Sequence, residues 1–234
     1  MTDTQRDLRL VVVSAGVSNP SSSRLLADRI AGKSLELLRA SRATATSSAV
    51  ELSPLAVEIA RATVSGFASE PLQAAIERLA TADAVVVATP IYKAGISGLF
   101  KSFVDVLDND LLVAKPVVLA ATAGTSRHAL VIDEQLRPLF AYLRALVLPT
   151  SVFAGPEDWA APELRERIER AATELKVIVR AGIEQQIADS AWSAYQHQFA
   201  GNAARAARTA DDVDFDSPLM RLAAGGAPPP STAE

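Results

Sequence analysis

The chain of 234 residues predicts an α/β fold built on an open, doubly wound parallel sheet. Three observations carry that prediction. Short apolar runs recur without polar alternation, as strands buried on both faces require. Between them lie stretches with apolar residues at helical spacing. Strand and helix alternate five times, which within one sheet means right-handed crossovers.

Taken in order, the first strand is 10–13 (Leu10, Val11, Val12, Val13), and the helix after it carries Leu25, Leu26, Ile30, Leu35 and Leu38. Residues 49–52 alternate and suit an edge strand. A second helix opens at Pro71, which the first turn tolerates, and carries Leu72, Ile76 and Leu79. The run 84–88 is the third strand, and Leu99, Phe100, Phe103, Val104 and Leu107 mark its helix. The fourth strand, 117–121, leads to Leu136, Leu139, Phe140 and Leu143, where Pro138 predicts a bend or local irregularity. The fifth strand is 145–148, and Leu164, Ile168, Leu175 and Ile178 form the helix that follows. Five strands without a second half point to the flavodoxin-like three-layer sandwich, with a five-stranded parallel sheet of order 2-1-3-4-5. A ligand is then expected at the switch point, outside the carboxyl ends of strands one, three and four.

The loops at those three ends differ from the rest of the chain. The first, Ser18-Asn19-Pro20-Ser21-Ser22-Ser23-Arg24, joins a strand to a helix N-terminus. Hydroxyls, backbone N–H groups and the helix dipole together make a pocket for one phosphate there. The loop has a single glycine, Gly16, and neither the G-x-G-x-x-G that admits a pyrophosphate nor the Gly-Lys-Ser/Thr of a triphosphate loop. By elimination it suits a monophosphate, and FMN is the commonest cofactor that carries one. The same serines also suit plain capping of the helix. The second loop, 89–98, combines turn residues with Tyr92 and Lys93; the third, 122–128, is small and polar and ends in Arg127 and His128. None of the three contains Asp or Glu, which excludes a magnesium-binding receiver domain of the same sheet order.

Composition narrows the classes further. A net charge of −4 with no basic block argues against nucleic acid or an anionic membrane as partner. Without cysteine there are no disulfides, iron–sulfur ligands, thiolate zinc or cysteine nucleophiles, and His128 and His197 alone make no multi-histidine metal site. Residues 1–8 are polar and charged, unlike a signal peptide, and no apolar run reaches membrane-spanning length, so a soluble, cytoplasmic protein is expected. Beyond residue 190 the pattern changes. Trp192, Tyr195 and Phe199 would stripe a short helix, Asp211, Asp212, Asp214 and Asp216 follow, and 225–234 is expected to be disordered. The expected organisation is a domain over 1–190, an extension over 191–224 for an interface or partner docking, and a tail over 225–234.

The segment Ala88-Thr89-Pro90-Ile91-Tyr92-Lys93-Ala94, followed by Ser97-Gly98-Leu99-Phe100-Lys101, resembles the second flavin loop of NAD(P)H-dependent FMN reductases. It is most similar to the two-component type, which feeds reduced FMN to a luciferase-like monooxygenase. Gly124-Thr125-Ser126-Arg127-His128-Ala129-Leu130, with Asp133, Leu136, Arg137 and Pro138 after it, fits the same group. The resemblance spans 9–185, and the long C-terminal extension is similar to that of the actinobacterial branch. Two departures stand out: Gly95-Ile96 replaces a small residue plus an aromatic, and the first loop is shorter than in many relatives.

The resemblance implies FMN with NADPH or NADH as co-substrate, and direct hydride transfer with no catalytic acid or base. It implies that Ser18, Ser21, Ser22 and Ser23 hold the FMN phosphate, with Arg24 as an ionic partner. Pro90, Ile91, Tyr92 and Lys93 would line the isoalloxazine, and the backbone of Gly124, Thr125 and Ser126 would face its pyrimidine edge. Arg127 and His128 would serve the nicotinamide nucleotide, and no metal is expected. Implied partners are the monooxygenase and further copies of the chain, as a homodimer or homotetramer with the 99–107 helix at the interface. The competing readings are a quinone or azo reductase with tightly bound FMN and a flavodoxin-type electron carrier. Against the carrier stand the non-acidic loops and the lack of a T-x-T-G-x-T pattern.

Overall fold

The computed structural model describes residues 7–191. In chain order the elements are β1 (Leu8–Ser14), α1 (Ser22–Ala40), β2 (Ala45–Glu51), α2 (Ala56–Ser65), α3 (Glu70–Ala80), β3 (Ala84–Tyr92), β4 (Gly95–Ile96) and α4 (Gly98–Asp105). They continue with β5 (Pro116–Thr122), α5 (Arg137–Tyr142), β6 (Leu146–Val147), β7 (Val152–Ala154), α6 (Pro162–Arg180) and α7 (Ile183–Ala191). The main sheet runs β2-β1-β3-β5-β6, all parallel, with β7 also on β5. The flavodoxin-like order is therefore present, with its fifth strand in two pieces. Pro149, which has no N–H for the ladder, falls in the break. There Thr150 turns to α6 instead, donating its N–H (2.9 Å) and its hydroxyl (2.6 Å) to Glu174.

Successive strand residues point to opposite faces, and each face has its own helices. Val11, Val13, Val85, Val87, Val117 and Leu119 pack with Ile59, Leu72, Ile76, Phe100, Phe103 and Phe140 of the α2–α5 layer. Leu10, Val12, Val86, Val118 and Ala120 pack with Leu26 and Ile30 of α1 and Leu164, Ala171 and Leu175 of α6. Burying each of these larger side chains is worth about 1.5–3 kcal/mol, so the two cores hold the sheet rigid beneath its loops.

Several elements differ from expectation. Helix α2 was not foreseen, because its buried stripe is only Ile59 and Ala62. The helix expected around Pro138 is broken into a 3₁₀ turn (Ser126–His128), a π-helical turn (Ile132–Leu136) and α5, so the irregularity lies on the N-terminal side of Pro138. Phe100 and Phe103 of α4 are core residues, with the Phe100 and Phe140 rings 6.3 Å apart, so of the two places open to this stripe, core or subunit interface, they take the core. No helix among the described residues is long and apolar enough to cross a membrane, and no group of His, Cys, Asp and Glu among them could hold a metal ion. Trp192, Tyr195, His197, Phe199 and the acidic stretch lie outside the described residues, as do nearly all of the expected 191–224 extension and the 225–234 tail.

At the amino end of the sheet, the charges that are buried have partners. Lys115 is almost wholly enclosed; its Nζ donates to the carbonyls of Ala82 and Ala80 and meets Glu184 Oε1 of α7 at 3.1 Å. Asp83 accepts the Arg9 N–H at 2.7 Å, and Asp110 holds Arg144 at 2.7 Å.

Candidate active site

The first loop leaves β1 through Ala15, whose N–H still bonds Ala88 of β3, and closes on itself at Gly16. A Cβ at Gly16 would lie 1.8 Å from Ser21 Oγ, so only glycine lets the loop fold this tightly. Ser21 is the N-cap of α1, its Oγ accepting the Arg24 N–H at 3.2 Å. The hydroxyls of Ser22 and Ser23 turn to Thr122 Oγ1 at the end of β5, at 3.4 and 2.7 Å. Among the described residues, nothing accepts the backbone N–H groups of Ser22 and Ser23, the first donors of a 19-residue helix. Unpaired donors at a positive helix end attract an anion.

Arg24 is engaged elsewhere. Its Nε bonds both oxygens of Asp28 at 2.8 and 2.9 Å, and Nη1 meets Glu51 at 2.6 Å. Hydrogen bonding to Asp28, aided by the charges of Asp28 and Glu51, outweighs burial and raises the guanidinium above its ordinary value. The cation expected to pair with a phosphate is thus held by two carboxylates on the flank of α1.

The second loop is a hairpin rather than an open loop. β3 continues to Tyr92 and β4 returns antiparallel, pairing Ile91 with Ile96 and Tyr92 with Gly95. The two turn residues, Lys93 and Ala94, have φ of 52° and 62°, as the primed hairpin turns require, at some strain for non-glycine residues. Gln135 of the π-helical turn clamps this hairpin: Oε1 accepts the Ile96 N–H at 3.1 Å and Nε2 donates to Ala94 O at 3.3 Å. Thr89 Oγ1 accepts the Ser97 N–H at 3.2 Å, and Ser97 caps α4. Pro90 and Ile91 are buried, Tyr92 is half exposed, and Lys93 points outward.

The third loop follows Thr122 through Ala123 and Gly124 to Thr125, whose Oγ1 caps the 3₁₀ turn by accepting the Arg127 N–H at 3.4 Å. A fourth segment, not foreseen, joins these. After β7 the chain turns at Gly155-Pro156, where Gly155 N–H donates to Asp158 Oδ2 at 2.7 Å, and brings in Trp159.

These segments enclose a cavity of about 500 Å³, within the usual range for a small-molecule site. Ser18, Ser21, Ser22, Ser23, Pro90, Ile91, Tyr92 and Gly124 of the expected set line it. Arg24, Lys93, Thr125, Ser126, Arg127 and His128 do not; the last four stand on the rim-side turn beyond Gly124. Thr122, Ala123, Ala154, Pro156 and Trp159 complete the wall. Among the described residues no carboxylate lines the cavity, and its polar groups include hydroxyls and backbone N–H groups at a helix N-terminus. Such a donor set fits one phosphate ester.

Comparison with known proteins agrees with this chemistry. The family model described as NADPH-dependent FMN reductase matches residues 8–160. An FMN reductase (NADPH) of Pseudomonas aeruginosa is 36% identical over 172 residues, covering 70% of this chain and 88% of that protein. The NADH-dependent FMN reductase SfnE of Pseudomonas putida is 38% identical over 153 residues, covering 65% and 80%. The crystal structure of an oxidoreductase from Corynebacterium diphtheriae is 42% identical, with a TM-score of 0.72 over 74% of this chain and 97% of that one.

Proposed function

This chain belongs to the NADPH-dependent FMN reductase family and reduces FMN with NAD(P)H; on that premise we propose that it supplies reduced FMN to a luciferase-like monooxygenase. The observation that carries the reading is the cavity at the carboxyl ends of the sheet, a cradle of neutral donors with an open rim. Its phosphate end is built from hydroxyls and helix N–H groups, while Ser18, Tyr92 and Gly124 stay exposed at the mouth. That construction suits a flavin that enters and leaves, as a flavin consumed by a second enzyme must.

In this reading Ser18, Ser21, Ser22 and Ser23, with the Ser22 and Ser23 N–H groups, hold the phosphate. Pro90, Ile91 and Tyr92 support the ring, and Lys93 at the hairpin tip meets the incoming nucleotide. The Gly124, Thr125 and Ser126 N–H groups face the pyrimidine edge, where they stabilise negative charge that grows on reduction. Arg127, exposed beyond that edge, and the half-buried His128 contact the nicotinamide nucleotide. When bound, FMN supplies the N5 position that accepts hydride. The chain need only hold the two rings in contact, and no side chain in the cavity wall acts as acid or base.

The likeness to the corynebacterial oxidoreductase supports a place in the actinobacterial branch. Exposure of Val57, Val64 and Phe67 on and just after α2, with Val64 90% exposed, supports a homo-oligomer, with this face beside that of α4 as its contact surface.

The test is steady-state oxidation of NADH and of NADPH with FMN or a quinone as acceptor, followed by coupling to a luciferase-like monooxygenase. We expect free FMN to be turned over and the coupled product to form. Purification as a yellow protein that reduces quinone faster than free FMN would overturn the supply role.

A further inference from the structure

The hairpin that brings Pro90, Ile91 and Tyr92 into the cavity wall does not hold its own tip. Its ladder is two pairs long, Ile91 with Ile96 and Tyr92 with Gly95, and so short a hairpin is marginal by itself. At the tip two consecutive residues, Lys93 and Ala94, stand at φ of 52° and 62°. Left-handed backbone is costly for residues that carry a Cβ, and it persists only where the surroundings enforce it. Neither residue is the Asn or Gly that settles such a turn unaided.

The enforcing group is Gln135. Its Oε1 accepts the Ile96 N–H at 3.1 Å, and its Nε2 donates to Ala94 O at 3.3 Å. One partner is a donor and the other an acceptor, so the amide fits in one orientation. The two bonds straddle Gly95, where an added Cβ would lie 3.3 Å from Oε1. A glycine at this position lets the amide settle on the turn. The Gly95-Ile96 pair, a departure from the family pattern, thus forms the seat of a side chain from beyond the third loop. The neighbours of Gln135 offer no substitute: Asp133 is bound to Arg137 at 2.9 Å, and Glu134 is exposed.

We propose that Gln135 is a positioning residue for the flavin, which pre-forms the hairpin so that Ile91 and Tyr92 stand in the cavity wall before the ring arrives. The proposal rests on the flavin ring lying against this hairpin, as in the proposed function. Gln135 is not in the cavity wall itself and acts through the turn. Pre-forming a wall lowers the cost of binding and leaves hydride transfer in the bound state untouched, so the effect falls on KM and not on kcat. The hairpin serves the ring and not the phosphate, so FMN and riboflavin benefit alike.

The test is steady-state reduction of FMN and of riboflavin by the full chain, by Gln135→Leu, and by Gln135→Leu combined with Ala94→Gly. Gln135→Leu removes both hydrogen bonds and is expected to raise KM for each flavin about tenfold, with kcat within about twofold. Glycine at 94 removes the Cβ that makes the turn costly, so the double variant should return to within about threefold of the unmodified KM. If Gln135→Leu does not fold, Gln135→Asn, whose amide is one methylene too short to span both groups, carries the same expectation. A KM within about twofold of the unmodified chain would overturn the proposal, as would a loss that Ala94→Gly does not restore or that riboflavin does not share. Gly16→Ala separates this failure from that of the proposed function. If it weakens FMN while Gln135→Leu does not, the proposal alone fails; if neither variant weakens FMN, the flavin lies elsewhere and the reading of the cavity fails with it.

Discussion

The two ends of one parallel sheet treat polar groups in opposite ways. At the amino end Lys115 is paired with Glu184 and Asp110 with Arg144, while buried Asp83 accepts the Arg9 N–H. At the carboxyl end the cavity wall holds four serines and a threonine and, among the described residues, no carboxylate, with two helix N–H groups that none of those residues accepts. The crossover helices explain the asymmetry. Each returns antiparallel to its strand, so helix N-termini collect at the carboxyl end, where the dipole favours an anion that the chain itself does not supply. Buried charge persists only where it is paired, which makes the amino end a structural device. Open donors make the carboxyl end a receptor.

The largest expected effect separates the two ends. Lys115→Ala removes the ammonium that holds Glu184 and two carbonyls and should cost about 3–5 kcal/mol, read as a fall in Tm of roughly 10 °C, with FMN affinity unchanged in the folded protein. A loss of FMN affinity without a fall in Tm would erase the distinction. Next in size is Thr122→Val, which removes the hydroxyl partner of Ser22 and Ser23 at the floor of the cradle. Its expected signature is the reverse: a drop of about 1–2 kcal/mol in stability together with FMN binding weakened about tenfold by titration. Smallest is Arg24→Gln. Because Asp28 and Glu51 hold the guanidinium, FMN affinity should change less than about threefold. A change of about a hundredfold would mean that Arg24 leaves those carboxylates for the phosphate.

The sheet and its order were legible because 10–13, 84–88 and 117–121 are apolar on every residue and admit no other buried element. The three converging loops followed from that order. The fate of individual side chains did not, since it depends on register and on distant partners. Asp28 lies one turn from Arg24 and could have been suspected, whereas Glu51 reaches it only because β2 lies parallel beside β1. The hairpin at Tyr92 was hidden because Lys93 and Ala94 adopt positive φ without the Asn-Gly or Asp-Gly signal. Thr122 reads as the last residue of a buried strand, and Trp159 enters the wall only through β7, which Pro149 separates from the run that announced the fifth strand.

The central claim is that the Gly16–Ser23 loop recognises a phosphate, and the most direct measurement is the ratio of riboflavin to FMN dissociation constants. The two ligands differ only in the phosphate. The unmodified chain is expected to favour FMN by about a hundredfold, and Gly16→Ala, whose Cβ displaces Ser21 Oγ, to bring the ratio close to one. Equal affinities in the unmodified chain, or a preference that survives Gly16→Ala, would contradict the account.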